Sequence, residues 1–308
     1  MTANDASTTT TAANAPDIAM LPRGALTRFA PAPTGLLHLG HVANAIWTWG
    51  VAAALGGRVL LRIEDHDRQR CRPEYDRALL EDLAWLGFAA DFGPVRQSDR
   101  DAEAAYEEAL ARLVREASVY GCDCTRSTFA TWAAERGRPW SGPGCPGGCR
   151  ERDLDGPILR VALGGGTESW LDGLAGPCRS EVAATGDPAI RDRHGNRTYG
   201  FCVVVDDLRH GVDLIVRGRD LLHATAAQLR LASALGRESP PTFLHHPLVR
   251  RPDGSKLSKS AGDSGVSELR AAGWSADEVL GAAAAAVGLI DVARPLAMAE
   301  LSTVVHVR

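Results

Sequence analysis

The chain has 308 residues, of which 45% are hydrophobic and 23% charged, and its formal net charge is −4. That balance belongs to a globular protein of one large domain or two ordinary ones. No apolar run reaches the ~18 residues a membrane helix needs, and the charge weighs against a non-specific polyanion binder.

Residues 1–20 are rich in Thr, Ala and Asn and lack the basic-then-apolar order of a secretory signal. They read as a disordered tail, which makes the cytoplasm the expected compartment. A buried strand is expected over 26–30, then a turn-forming loop at Pro31-Ala32-Pro33-Thr34-Gly35. A helix follows over 39–55, with Val42, Ala45, Ile46 and Trp49 on one face, stopped by Gly56-Gly57. An apolar strand over 59–63 completes a right-handed βαβ unit. Helices are expected over 73–86 and 99–116. Residues 120–195, rich in Gly, Pro and Cys and weakly periodic, read as an insertion. Regularity returns with a buried strand over 201–205, another over 214–216, a helix over 221–235 and a strand over 243–249. Residues 266–308 are Ala-rich and helical. The fold class expected is α/β, a doubly wound parallel sheet of Rossmann type. Its parts are a tail (1–20), a first half (21–119), an inserted module (120–195), a second half (196–262) and a short helical segment (263–308).

Two segments concentrate chemistry. Between the first strand and first helix lies Arg28-Phe-Ala-Pro-Ala-Pro-Thr-Gly-Leu-Leu-His38-Leu-Gly40-His41, at the carboxyl edge of the sheet where open α/β folds bind ligands. A helix N-terminus there offers N–H groups and a positive dipole end to a phosphate. Gly40 would let a ring or phosphate approach the backbone, and His38 and His41, three apart, share one side of the first turn. Two histidines that merely cap the helix are the plainer alternative. The second segment is Gly254-Ser255-Lys256-Leu257-Ser258-Lys259-Ser260. Of the 34 basic residues in the chain, Lys256 and Lys259 are the only lysines. A surface charge could have been arginine like the others, so this pair points to a task needing a compact charge on a flexible stem. Gripping and releasing a pyrophosphate is such a task.

Four of the seven cysteines form a further group, Cys122-Asp-Cys124 and Cys145-Pro-Gly-Gly-Cys149. In a cytoplasmic chain they are not expected to be disulfides. Four thiolates suit a tetrahedral structural zinc, which would substitute for the core so short an insertion cannot build. Cys71, Cys178 and Cys202 read as isolated thiols, Cys202 as core.

The pairing of His38-Leu-Gly-His41 with Lys256-Leu-Ser-Lys259-Ser260 resembles class I aminoacyl-tRNA synthetases. The Arg28–Gly35 stretch, Leu61-Arg-Ile-Glu-Asp-His-Asp67, Val203-Val-Val-Asp-Asp207 and Ile215-Val-Arg217-Gly218 are similar to the glutamyl-tRNA synthetase branch, over roughly residues 26–262. The resemblance implies ATP as substrate, with magnesium, held at His38, Gly40, His41, Lys256 and Lys259. It implies L-glutamate in a pocket of Arg28, Ala30, Ala32, Glu64, Tyr199 and Arg217. Arg28 and Arg217 would take carboxylates and Glu64 the ammonium group, a complement that also follows from the charges of glutamate. Members usually carry Ser where this chain has Ala32, so a hydroxyl contact there must come from backbone or water. After Ser260 only 48 residues remain, against the roughly 100 or more of an anticodon-binding domain. Together with the zinc module, this is similar to the glutamyl-Q tRNA(Asp) synthetase family, whose members transfer glutamate to queuosine in tRNA(Asp). In that family some members carry Tyr where Cys145 stands. A monomer with no membrane partner is expected. The alternatives are a truncated glutamyl-tRNA synthetase charging tRNA(Glu), a non-catalytic tRNA-binding relic, and a small nucleotidyltransferase acting on another acid.

Overall fold

A computed structural model of the chain describes residues 9–10, 18–116, 118–135, 137, 142–152, 154–249 and 265–306. After β1 (Thr9–Thr10), the strand β2 (Leu26–Phe29), the helix α1 (Leu39–Leu55) and the strand β3 (Arg58–Ile63) form the expected βαβ unit. β2 and β3 pair in parallel from Leu26↔Arg58 to Phe29↔Leu61. α1 stops at Gly56, whose left-handed backbone (φ 63°) turns its N–H back onto the Ala52 and Ala53 carbonyls, a conformation that glycine adopts without a Cβ penalty. α2 (Pro73–Trp85) begins at a proline, whose missing N–H costs nothing in a first turn. β4 (Phe92–Arg96) then joins β3 in parallel.

α3 (Arg100–Glu116) leads into residues 118–191. These hold β5 (Ser118–Cys122), α4 (Arg126–Glu135), α5 (Gly148–Glu151), β6 (Ile158–Ala162), β7 (Thr167–Asp172), β8 (Gly176–Glu181) and β9 (Ala189–Arg191). β5, β6 and β9 make a small antiparallel sheet. The β7–β8 hairpin instead extends the main sheet, with β7 pairing in parallel to the later β11 at Phe243↔Asp172. The second half is α6 (Tyr199–Arg209), β10 (Leu214–Gly218), α7 (Thr225–Ala234) and β11 (Thr242–His246). β10 and β11 run parallel from Leu214↔Thr242 to Gly218↔His246. α8 (Val266–Ala271), α9 (Ala276–Ala286) and α10 (Leu301–His306) end the fold.

The strand orders are β2-β3-β4 and β1-β8-β7-β11-β10. The two sheets touch where β2 meets β10, at one end. Leu26 N–H donates to Asp213 Oδ1 at 2.7 Å, and Asp213 N–H donates to the Leu26 carbonyl at 3.1 Å. No ladder joins the strands beyond that point. The direction of winding reverses there, which makes it the switch point where open α/β sheets bind ligands. One core lies between α1, the C-terminal helices and β2–β3; a second lies around α3, α6, α7 and β11.

Three expectations need correcting. Residues 201–205 are not a strand but the middle of α6, whose residues Phe201 to Asp207 are all buried. A short, continuous apolar run fits a buried helix as well as a buried strand. The helix expected over 221–235 opens as a 3-10 turn, Arg219–Ala224, before α7. The strand expected to reach 249 ends at His246, because Pro247 has no N–H to extend the ladder. Among the described residues, no helix is long and apolar enough to cross a membrane.

Gly281 sits inside α9, where alanine ordinarily adds up to about 1 kcal/mol. Here a Cβ would overlap the Arg294 carbonyl oxygen, a backbone atom. Leu296 N–H anchors that segment to the Asp277 carbonyl at 2.9 Å. Overpacking of this kind costs about 1–3 kcal/mol, so Gly281→Ala is expected to lower the melting temperature despite its better helix propensity. A variant melting at or above the wild type would contradict this placement.

Candidate active site

The site is built where β2 and β10 part. Arg28, on β2, reaches across the gap: its Nη1 donates to the Val216 carbonyl at 3.1 Å, and its Nε to Asp207 Oδ1 at 3.1 Å. Arg62, on β3 and fully buried, donates through Nη1 to the same Asp207 oxygen at 2.7 Å and through Nη2 to Glu64 Oε1 at 3.1 Å. Asp206 lies beside it, accepting from Gln97 (2.7 Å), Tyr106 (2.8 Å) and Arg209 (2.9 Å). Charges this deep persist only if paired and hydrogen-bonded. Burial opposes ionisation of Asp207, but Arg28 and Arg62 outweigh it and hold its carboxyl below the usual range. Burial likewise opposes charge on Arg62, and Asp207, Glu64 and Asp206 overcome it, raising its pKa. Glu64 differs: burial pushes its carboxyl up, against the pull of Arg62 and Arg28. Its second oxygen has no hydrogen-bond partner among the described residues.

Arg217, on β10, is held by neutral groups. Its Nε donates to His245 Nε2 (2.9 Å), its Nη1 to Gln228 Oε1 (2.6 Å) and its Nη2 to Thr225 Oγ1 (2.8 Å). Its guanidinium carbon lies 5.1 Å from the centroid of the Phe243 ring. Burial lowers its pKa to about 10, so it stays charged, and among the described residues it has no direct anionic partner.

The phosphate-type end is the start of α1. His38 is the N-cap, its Nδ1 accepting from Gly40 N–H at 3.0 Å, and His41 Nδ1 accepts from His38 N–H at 3.1 Å. Both rings therefore cap the helix, as the plainer reading held, yet capping does not remove them from chemistry. A neutral imidazole that accepts at Nδ1 carries its proton at Nε2, so the cap engages only the Nδ1 side of each ring. A Cβ on Gly40 would fall 2.8 Å from His38 Cε1. The ring that Gly40 admits is thus that of His38.

One cavity of about 400 Å³ is lined by Arg28, Ala30, Ala32, His38, Gly40, His41, Glu64, Tyr199 and Arg217. It brings together every candidate residue for the acid and, among the described residues, for the nucleotide. Lys256 and Lys259 lie outside the described residues. Asn44, Asp220 and His246 also line the cavity and were not singled out from sequence. His246, which burial holds down at about 4, is neutral. Its Nδ1 faces the Pro247 carbonyl at 2.8 Å, which can only accept, so the proton sits on Nδ1.

Apart from this cavity, the Sγ atoms of Cys122, Cys124, Cys145 and Cys149 lie within 4.8 Å of one another, all buried, and all seven cysteines of the chain are free. Tetrahedral zinc, with Zn–S near ~2.3 Å, sets S···S at about 3.8 Å, and Cys124 lies 3.8 Å from Cys145 and 3.3 Å from Cys149. Four buried thiols gathered this closely are a donor set that fits tetrahedral zinc. Arg160 Nε donates to Cys122 Sγ at 3.1 Å and Arg152 Nη2 to Cys149 Sγ at 3.3 Å, a second layer that favours thiolates.

The parallel sheet, switch-point cavity and capped helix define a catalytic fold of the class I synthetase kind. A glutamate tRNA ligase of Elizabethkingia meningosepticum, solved with its amino acid, aligns at TM-score 0.72 and 24% identity over 91% of this chain and 64% of its own. The glutamate–tRNA synthetase of Elizabethkingia anophelis aligns at 0.65 and 28% identity over 78% of this chain and 54% of its own. The family model for the catalytic domain of class I tRNA synthetases (E and Q) matches residues 25–138 and 151–280, and the chain belongs to that family. Among curated relatives, the glutamyl-Q tRNA(Asp) synthetase of Symbiobacterium thermophilum is 41% identical over 89% of this chain and 90% of its own length. That of Rhodobacter capsulatus is 37% identical over 82% of this chain and 98% of its own. Glutamate–tRNA ligase 1 of Acidithiobacillus ferrooxidans is 37% identical over 82% of this chain, which spans 55% of that ligase.

Two outcomes follow. Arg62→Met would leave two buried aspartates and a glutamate short of their shared cation, a loss of about 3–5 kcal/mol, read by chemical denaturation; a shift below 1 kcal/mol would show that the floor is not cooperative. Cys149→Ala is expected to abolish tight zinc binding and to expose 118–191 to protease, with metal content read by mass spectrometry. Wild-type protein purified without metal and fully folded would rule out the zinc site.

Proposed function

We propose that this chain activates L-glutamate with ATP and passes the glutamyl group to the queuosine base of tRNA(Asp). The observation that carries the first step is the cavity itself. Two buried guanidinium groups and one buried carboxylate with an unpartnered oxygen form the complement of a dicarboxylate bearing one ammonium group, at the mouth of a helix that offers imidazole N–H donors. In this reading Arg28 and Arg217 hold the carboxylates, Glu64 the ammonium group, and Tyr199, Ala30 and Ala32 close the walls. His38, Gly40 and His41 receive the phosphates, joined by Lys256 and Lys259.

The α-carboxylate oxygen attacks the α-phosphorus, the P–O bond to the β-phosphate breaks, and glutamyl-adenylate and pyrophosphate form. The chain supplies position and charge rather than a nucleophile. Imidazole N–H and lysine ammonium groups stabilise charge gathering on the phosphoryl oxygens. Magnesium would arrive with ATP as part of the nucleotide substrate. A hydroxyl of the acceptor then attacks the glutamyl carbonyl and AMP leaves. Zinc held by Cys122, Cys124, Cys145 and Cys149 would cross-link the inserted module and take no part in either transfer. The setting proposed is cytoplasmic, and the protein acts as a monomer.

The queuosine end of the reading is supported by the likeness to relatives bearing that name. The 37% identity to a glutamate–tRNA ligase, the same as to the Rhodobacter capsulatus relative, keeps charging of tRNA(Glu) as a second reading. Glutamate-dependent ATP–pyrophosphate exchange without tRNA is expected, and its absence in folded, zinc-loaded protein would favour a non-catalytic relic. With labelled glutamate, tRNA(Asp) carrying queuosine should be labelled, while tRNA(Asp) carrying guanine there, and tRNA(Glu), should not. Labelling of tRNA(Glu) instead would select the second reading. Lys259→Ala should depress exchange by orders of magnitude with little change in stability.

Glu64 adds a pH dependence. Only the ionised carboxylate holds an ammonium group, so kcat/KM for glutamate should fall as pH drops through the Glu64 value. Because burial raises that value, the fall should begin above the ~4.3 of an ordinary glutamate. Glu64→Gln should lose this acid limb and lower kcat/KM throughout; a profile unchanged by the substitution would remove Glu64 from the ammonium site.

A further inference from the structure

Arg217 is the buried cation of the cavity with no carboxylate against it, yet an anion stands one ring away. His245 lies between Arg217 and Asp172. Its Nε2 receives the Arg217 Nε–H at 2.9 Å, and its Nδ1 faces Asp172 Oδ2 at 2.5 Å. All three are buried. Thr225 Oγ1, which accepts from Arg217 Nη2, lies 3.3 Å from the same His245 nitrogen. The ring stacks on Phe243 with centroids 5.6 Å apart and planes 9° apart, so it cannot turn freely. Asp172 is fixed in turn, its Oδ1 accepting from the Leu174 and Ala175 backbone N–H groups at 3.0 Å each.

We infer that Asp172 and His245 are positioning residues for substrate carboxylate recognition: Asp172 selects the Nδ1–H tautomer of His245, whose bare Nε2 aims and holds the Arg217 guanidinium. The inference rests on the proposed role of Arg217 in glutamate binding. The arrangement solves a problem that a direct pair would not. An aspartate placed against Arg217 would offset its charge and weaken its hold on an incoming carboxylate. A neutral imidazole takes up one N–H, fixes the plane of the fork and transmits part of the aspartate's field, leaving the cation's direct anionic contact to the substrate. Arg28, paired directly with Asp207, shows the other design in the same cavity. Asp172 lies at the end of β7, in residues expected from sequence to be an insertion. The dyad therefore makes a strand of that insertion part of the amino-acid pocket.

The logic of tautomer selection gives a test that does not depend on bulk. In Asp172→Asn, the amide oxygen can keep the Leu174 and Ala175 bonds while its NH₂ faces His245 Nδ1. That nitrogen must then accept, and the proton moves to Nε2, opposite Arg217 Nε–H. A folded Asp172→Asn, checked by circular dichroism and zinc content, is expected to raise KM for glutamate about ten- to hundredfold in ATP–pyrophosphate exchange, the loss for one hydrogen bond to a charged group. KM for ATP should change less than about threefold. Histidine ring nitrogen–proton correlation spectra, with His245→Phe to assign the signal, should show Nε2 unprotonated in wild type and protonated in Asp172→Asn. Should Asp172→Asn fail to fold, the wild-type spectrum decides alone, with His245→Phe expected to carry the same KM defect. Equal rises in both KM values, an unchanged KM for glutamate, or a wild-type Nε2 that carries the proton would each overturn the inference. A folded wild type that exchanges no pyrophosphate with glutamate would instead defeat the reading of Arg217, while the spectra would still report the dyad.

Discussion

The structure turns on one carboxylate. Asp207 accepts from Arg28 of β2 and from Arg62 of β3 while standing on α6 of the other half of the chain. The sheets are joined at one end of β2 and β10 by one backbone bond and one to the Asp213 side chain, and separate beyond it, so ion pairs replace a ladder where the pocket opens. An unbridged gap would have left guanidinium groups unpaired in a buried floor. Isolated buried pairs are weak sources of stability. Here the same charges position the walls of a binding site, which gives their burial a purpose beyond stability.

Within that floor the cations are not equivalent. Arg62 touches carboxylates and is wholly enclosed, Arg28 touches one and lines the cavity, and Arg217 lines it with neutral partners alone. Among the described residues, the series runs from several carboxylate partners to none. The α1 terminus adds a different kind of attraction, the N–H dipoles of a helix start, to the rim of the same cavity.

Much of this was legible in the sequence, and the limits have physical causes. α1 carries its own stop in Gly56 and its apolar face at helical spacing, so its bounds match the expectation. The candidate residues for the acid and, among the described residues, for the nucleotide line one cavity because the strand ends and helix start that carry them follow from parallel-sheet topology. The run Phe201–Val205 was misassigned since a helix buried all round has no polar face to reveal its period. The salt-linked floor was not foreseen as such: Arg28 and Asp207 are 179 positions apart, Arg62 and Asp207 145, and nothing local marks them as partners. The His245–Asp172 contact, 73 positions apart, is hidden for the same reason. The joining of β7 to the main sheet was obscured by glycine-rich flanks that read as loop.

α6 carries Tyr199 in its first turn, facing the cavity, and Asp206 and Asp207 in its last, neutralising the floor. Each residue of a helix advances about 100° around its axis. Gaining or losing a single residue between those points would swing the aspartates away from the arginines by more than a quarter turn while the tyrosine stayed put. The helix works as a spacer of fixed phase, so its residue count is constrained by the two ends it must place.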